Sequence, residues 1–265
     1  MEFAARSVCS KATIVHMTHQ VPPFDIEGGA LLLGVHALVA PSGTIFVAVV
    51  DPDVGTGRKA VIVQAETGKG PLRRQYTFVG PNNGVLSEAL RRLRITAVRE
   101  IKNRDLWRKP TSATFHGRDI FAPVAGNLVE GLSLHHFGPA LKVQDLAPNV
   151  LSTEVNEAKT RMVGKVAYVD AFGNLVTTVR KAEFQNFVGK RPFTISMAPD
   201  RLVLLNGGDL TKIVRTFDDV PEGEVGALFG GDFPPFMTVA VNMGNAQKMT
   251  GAKKGDEVVV KIVKA

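Results

Sequence analysis

Asp51 and Arg58 are the first residues of the chain placed to do chemistry. They lie in TIFVAVVDPDVGTGRKA, where a β-branched apolar run ends at Asp51-Pro52 and a glycine-rich turn leads to Arg58. Catalytic and binding groups of open α/β sheets gather at the carboxyl ends of strands, where the connecting loops diverge. The turn can fold Arg58 back beside Asp51, and an opposite charge beside a carboxylate favours its ionised form. The same residues also fit an Asp-Pro turn with a purely structural ion pair.

His116 stands in TFHGRDIFAP at a loop-to-helix junction, next to Gly117, where backbone N–H groups are unpaired and open to a ligand. A lone histidine is more often structural than catalytic, so the junction is what singles it out. In YVDAFGNLVTTV, Asp170, Phe172 and Asn174 surround a glycine turn between two strands. They could offer a ligand a carboxylate, an aromatic face and an amide, or form a hairpin turn closed by an Asx cap. Phe24, in VPPFDIEGGA, could stack a flat ligand or simply pin a helix to the sheet. The glycine pattern Gly55-x-Gly57-x-x-Ala60 resembles a dinucleotide fingerprint, but strand-like KAVIVQ follows where a helix is required. His135-His136 lack a metal-ligand partner set, and the sequence has no HExxH, GxSxG or P-loop motif, so no metal or cofactor is expected.

The elements that must position these residues fall into two textures. Up to about residue 158, strand-like and helix-like stretches alternate. Strands are predicted at Thr13–Met17, Thr44–Val50, Ala60–Gln64, Tyr76–Val79 and Ile95–Ile101. Helices are predicted over EGGALLLGVHAL, capped by Asp25, over Val85–Arg92 and over Asp119–Gly131. This rhythm predicts an α/β domain with a mainly parallel sheet over 1–158. After a polar linker, Pro148–Arg161, strand-like runs recur at Met162–Val169, Asn174–Val179, Pro192–Met197, Val225–Phe229, Met237–Val241 and Glu257–Val263. They predict an all-β domain over 159–265, a small barrel or sandwich.

Composition sets the frame. The chain has 265 residues, 45% hydrophobic and 22% charged, which fits one large or two ordinary globular domains and excludes a disordered or collagen-like chain. The single cysteine, Cys9, cannot form an intramolecular disulfide, which fits a reducing compartment. No apolar run reaches the roughly 18 residues of a membrane span. No secretory signal is visible, so a cytoplasmic protein is expected. Of the net charge of +7, the segment Lys69–Lys109 carries the excess, with 11 basic and 3 acidic residues. It reads as a solvated surface more readily than as a nucleic-acid stripe, since aromatic residues are sparse in it and no nucleic-acid motif is present.

Taken together, THQVPPFDIEGGA, PSGTIFVAVVDPDVGTGRK, FVGPNNGVL, TFHGRDIFAPVA, VDAFGNLVT and FDDVPEGE resemble, in order, the S-adenosylmethionine (SAM) hydroxide adenosyltransferase family. These are the SAM hydrolases related to fluorinase and chlorinase. The resemblance implies a three-layer N-terminal α/β domain, a C-terminal β-barrel-like domain and a homotrimer with active sites between subunits. It also implies attack of water on C5′ of SAM, releasing L-methionine and leaving adenosine. The family's Asp-Arg-His set falls on Asp51, Arg58 and His116, and the halogenases look different at the Asp and His positions. On the chemistry of an in-line attack by water, Asp51 is expected to accept a hydrogen bond or proton from the water, Arg58 to fix that carboxylate and His116 to help hold the water. Phe24, Gly117, Asp170, Phe172, Asn174 and Phe217 fall at substrate-binding positions.

The sequence departs from the family pattern at several points. The family opens with a strand ending in a TDFG-like segment whose Asp binds the ribose hydroxyls. Met1 corresponds to a position roughly 20 residues later, by helix register, so this strand is expected to be absent and no residue here takes the ribose-binding role. His16, Asp53, Asn82 and Gly230-Gly231 also differ from the family's usual residues. The alternative is a family member that binds adenosine or SAM without catalysis. A third candidate is an RNA-associated protein, which predicts strongly salt-dependent binding.

Overall fold

A computed structural model describes residues 1–37, 39–68, 70, 72–197, 210–230 and 236–263. The chain divides into two compact units, Met1–Val150 and Leu151–Ala265.

In the first unit, β1 (Ile45–Val47), β2 (Ala60–Glu66), β3 (Gln75–Pro81) and β4 (Arg94–Glu100) form a four-stranded sheet in the order β1-β3-β2-β4. Strand β2 is buried on both faces, which is why AVIVQA reads as a continuous apolar run. Its alternate residues feed separate cores. Val61, Val63 and Ala65 pack with Leu33 and Ala37 of α2 (Ile26–Ala37) and with Ala89 and Leu90 of α3 (Ser87–Leu90). Ala60 and Ile62 pack on the other face with Ile120, Phe121 and Val124. The last of these lies in α4 (Ala122–Val129), which a π-helical turn, Gly117–Phe121, precedes. Helices therefore cover both faces of the sheet. A short N-terminal helix, α1 (Glu2–Arg6), lies against α4, where a β-carbon on Gly126 would come 2.8 Å from the Ala5 carbonyl oxygen.

The sheet is mixed rather than mainly parallel, which corrects the expectation from the strand–helix rhythm. Only β1 and β3 pair in parallel; β2 runs antiparallel to both β3 and β4. Residues 67–74, which join β2 to β3, are too few for a crossover, which takes a dozen or more, so the two strands close as a hairpin. Strands β3 and β4, linked through α3, point the same way but lie on either side of β2. Thr13–Met17 forms no strand. Helix α2 begins as expected, with Asp25 Oδ1 accepting from Gly28 N at 2.6 Å. A β-carbon on Gly29 would come 2.9 Å from Val50 Cγ2, so glycine lets this helix press directly behind the residue that precedes Asp51.

In the second unit, β5 (Glu154–Val155), β6 (Arg161–Val169), β7 (Leu175–Arg180), β8 (Phe193–Met197), β9 (Ile213–Val214), β10 (Val225–Phe229), β11 (Phe236–Val241) and β12 (Glu257–Ile262) form an eight-stranded sheet. Its order is β8-β12-β6-β7-β11-β10-β9, with β5 on β6. All pairs are antiparallel except β9 with β10. The all-β expectation needs correcting here as well, because α5 (Lys181–Val188) and α6 (Ala246–Thr250) belong to this unit. Helix α5 buries Phe184, Phe187 and Val188, an i, i+3, i+4 face, and Gly189 at φ +60° stops it. The expected linker, Pro148–Arg161, is partly structured: β5 pairs with β6. No helix of the described residues is long and apolar enough to cross a membrane.

Candidate active site

The carboxyl end of β1 carries the candidate site. Ala48 N still donates to Val79 O at 3.1 Å, and the chain then leaves the sheet towards Asp51. Asn83 Nδ2 donates to the Val50 carbonyl at 2.8 Å, anchoring the backbone just before the carboxylate. Two successive turns follow, with Val54 N donating to Asp51 O at 3.3 Å and Thr56 N to Asp53 O at 3.1 Å. Gly55 occupies the third position of the second turn at φ +82°, a left-handed conformation that disfavours a β-carbon. A β-carbon there would also meet the Ala113 carbonyl oxygen at 2.9 Å. Asp53 is exposed and serves this turn through its backbone carbonyl.

The turn returns Arg58 to Asp51. Arg58 Nε donates to Asp51 Oδ1 at 2.8 Å and Nη2 donates to Oδ2, a two-pronged pairing of side chains that are only 9% and 5% exposed. The same Nη2 reaches His116 Nδ1 at 2.9 Å, across 58 residues of sequence. The guanidinium also lies over the Phe121 ring, 5.4 Å from its centroid. Asp51, Arg58 and His116, expected from widely spaced segments, are thus one hydrogen-bonded chain.

That chain fixes the protonation of His116. A guanidinium only donates, so Nδ1 must present a lone pair and the imidazole is neutral with its proton on Nε2. Burial, followed by the positive charge of Arg58, holds its pKa below the ordinary histidine value, against the opposing charges of Asp51 and Asp119. Nε2–H is left as a donor for a ligand.

A cavity of about 410 Å³ opens beside Asp51 and is also lined by His19, Phe24, Val50 and Pro52. Phe24 is 77% exposed and holds a positive φ of 68°, uncommon for an aromatic residue. Arg58 and His116 do not line this cavity. Gly117 begins the π-helical turn directly after His116. Among the described residues, no group of three or more His, Cys, Asp or Glu could hold a metal ion.

The remaining predicted residues lie in the second unit. Asp170 Oδ1 accepts from the amides of Phe172 and Asn174, both at 2.9 Å, and Oδ2 accepts from Asn174 Nδ2 at 2.9 Å, so the Asx-capped hairpin is what forms locally. Phe172 is 77% exposed, and Phe217 opens a 3₁₀ turn, Phe217–Asp219, at 46% exposure. Of the departures from the family pattern, Asn82 donates to Asp145 O at 2.8 Å and accepts from Ala147 N at 2.8 Å; a carboxylate could not make the first of these bonds. His16 bonds Glu2 and His19. Gly231 lies outside the described residues.

Sequence reasoning missed Asn83 and Phe121. The first is one half of an unremarkable Asn pair, and the second reads only as core. In the basic segment, Lys69 lies outside the described residues. Arg73 and Arg94 pair with Glu66, Arg91 with Glu88, Lys102 with Glu100, Arg108 with Asp119 and Lys109 with Asp105. These pairings spend much of the local positive charge inside the unit.

A direct test of the turn is Gly55→Val. It is expected to destabilise the protein by about 1–3 kcal/mol, from the left-handed strain alone, and to lower turnover by more than the stability loss explains. Urea denaturation beside steady-state assays at matched folded fraction measures both. A variant with parent activity would show that the turn does not set the spacing of Asp51 and Arg58.

Comparison with known proteins adds a second line of observation. Residues 1–138 match the SAM hydroxide adenosyltransferase N-terminal domain, and residues 164–259 match the C-terminal domain of that name. The chain is 35% identical over 251 residues to a protein of Thermus thermophilus named (R)-S-adenosyl-L-methionine hydrolase, covering 91% of this chain and 85% of the relative. A protein of the same name from Salinispora arenicola is 35% identical over 251 residues, covering 94% and 86%. Among solved structures, an uncharacterized conserved protein from Thermotoga maritima superposes with a TM-score of 0.77 at 31% identity, over 98% of this chain and 93% of its own.

Proposed function

Since the chain belongs to the SAM hydroxide adenosyltransferase family, we propose that it hydrolyses S-adenosyl-L-methionine to adenosine and L-methionine. The observation that carries this reading is the continuous chain Asp51–Arg58–His116 at the end of β1, in a protein 35% identical to relatives named for that activity.

The chemistry asks little of the protein beyond placement and one proton acceptor. The oxygen of water forms a bond to C5′ while the C5′–S electron pair returns to sulfur. The sulfonium becomes a neutral thioether, so departure needs no acid. One proton of the attacking water must leave, and the other stays on the new 5′-hydroxyl. Asp51 is the acceptor: each of its oxygens takes one bond from Arg58 and keeps a lone pair for the water. Arg58 holds the carboxylate in one orientation, and the half-buried His116 offers Nε2–H to orient the water oxygen. Holding water in line with C5′ converts a bimolecular encounter into an oriented one.

By the family resemblance, Phe24, Gly117, Asp170, Phe172, Asn174 and Phe217 contact the substrate. Faces such as Phe24 and Phe172 are suited to stacking the flat base, on the order of 1–3 kcal/mol each by analogy with base–aromatic contacts. The same resemblance is the ground for a homotrimer with sites between subunits. A cytoplasmic setting and independence of metal and cofactor complete the reading. The alternative, a binder without catalysis, would hold SAM and leave it intact. Incubating the protein with SAM and following adenosine and methionine by chromatography decides between them.

The neutral imidazole predicts a pH dependence. Protonating Nδ1 sets N–H against N–H at Arg58 and breaks the chain, so activity is lost as pH falls through the His116 pKa. That pKa is lowered, so the acid limb of kcat/KM is expected below the ordinary histidine value of about 6.5. A profile recorded from acid to mildly alkaline pH measures it, and an acid limb above neutrality would contradict the assigned tautomer.

A further inference from the structure

The mechanism leaves unused a buried carboxylate three residues beyond His116. Asp119 is wholly buried, a placement that is strongly unfavourable for a charge unless donors surround it. Its donors come from one stretch of chain. Oδ1 accepts from Arg118 Nε at 2.6 Å, Oδ2 from Arg118 Nη2 at 2.9 Å and from Ser112 N at 2.8 Å, and Arg108 Nη1 lies 3.5 Å away. Its backbone joins in, with the carbonyl accepting from Arg108 N at 2.8 Å and the amide donating to Phe115 O at 3.0 Å. Residues 108–115 form neither helix nor strand, so these bonds stand where a regular backbone ladder would otherwise fix the segment.

The tied segment touches both arms of the site. At its end stands His116, whose Nδ1 must meet Arg58. In its middle, next to the tethered Ser112, the Ala113 carbonyl closes against Gly55, inside the turn that spaces Asp51 from Arg58. One carboxylate therefore sets the loop on which both arms depend, without touching Asp51, Arg58 or His116 itself in any hydrogen bond.

We propose that Asp119 is a positioning residue of the reaction, holding the 108–116 segment so that His116 accepts from Arg58 as the neutral Nε2–H tautomer. The proposal rests on the hydrolase reading for its kinetic consequence and not for its structural one. Two electrostatic facts agree with it. Arg118 chiefly holds the Asp119 carboxyl down at about 2, so it is charged wherever activity is measured. Its charge also opposes the lowering of the His116 pKa.

The test compares the parent chain with Asp119→Asn, Arg118→Gln and, as a control, Asp105→Asn, which removes an 87% exposed carboxylate from the same stretch. Folding is followed by circular dichroism and melting temperature, kcat and KM for SAM across pH, and the His116 ring by nitrogen-15 NMR. Asp119→Asn is expected to lower kcat at least about 30-fold with KM within about threefold, because misplacement costs the oriented step rather than the grip. The His116 titration should move to lower pH, and its ring should lose the single Nε2–H tautomer. Arg118→Gln should show the loss of kcat and of the single tautomer in smaller measure, without the shift of the His116 titration to lower pH because Asp119 keeps its charge, and Asp105→Asn none of these changes. A folded Asp119→Asn protein with kcat within about threefold of the parent and an unchanged His116 tautomer overturns the proposal. If Asp119→Asn does not fold, Arg118→Gln decides by the same criteria. If the parent itself leaves SAM intact, the hydrolase reading fails, and the NMR comparison still judges whether Asp119 holds His116.

Discussion

Asp51→Asn is expected to abolish turnover of SAM, by about 10²–10⁴-fold, the range general-base removal commands. Asparagine keeps the shape but cannot take up the water's proton. Its amide also sets N–H against one prong of the Arg58 fork, where Oδ1 and Oδ2 now each accept. Binding should survive, because the residue acts on charge developing in the transition state; the SAM dissociation constant is expected within about threefold of the parent value. Equilibrium dialysis against SAM, beside a product assay, separates the two. Full residual activity in a folded Asp51→Asn protein would refute the assignment of the acceptor, and loss of binding alone would move Asp51 from chemistry to recognition.

Arg58→Gln has the next largest effect and reaches stability as well as rate. Asp51 is 5% exposed and relies on this guanidinium. Removing one partner of a buried pair leaves an uncompensated charge and costs about 3–5 kcal/mol. The same change frees His116 Nδ1 and removes the cation over Phe121. Turnover should fall on the order of 10²-fold or more, the scale of a misplaced reacting group. Arg58→Lys should recover part of the stability and little of the rate, since an ammonium keeps the charge but lacks the fork that spans Asp51 and His116. In the double variant Asp51→Asn/Arg58→Gln the losses should be well short of additive, because both act in one unit. Chemical denaturation and steady-state kinetics on the four proteins complete the cycle. Strict additivity would mean that the two side chains work independently, against the geometry.

The segments that carry the candidate site are legible because each pairs a side chain capable of chemistry with a local backbone device. Asp51 stands where an apolar run gives way to Pro52 and Gly55, Asp25 caps α2 through Gly28 N, and His116 stands before Gly117. What misled the sequence reading was neighbour choice in the sheet. The short connection 67–74 already makes β2 and β3 a hairpin, but that β2 also stands beside β4 is a contact made across the sheet, which the strand–helix rhythm does not fix. Helix α5 is not legible in the sequence because its buried Phe184, Phe187 and Val188 occupy a short window between strands, where period 3.6 is hard to tell from period 2.

By itself the sequence determined the candidate reactive groups, the turns that carry them and the family, because side-chain type, glycine placement and apolar spacing are properties of a few adjacent residues. Only the tertiary structure decided that one guanidinium joins Asp51 to His116, that the imidazole is therefore neutral, and that Asp119 is spent on the loop between the two arms. Those are facts of distance and desolvation. They depend on which far-separated segments pack together, and a chain read in one dimension carries no measure of either.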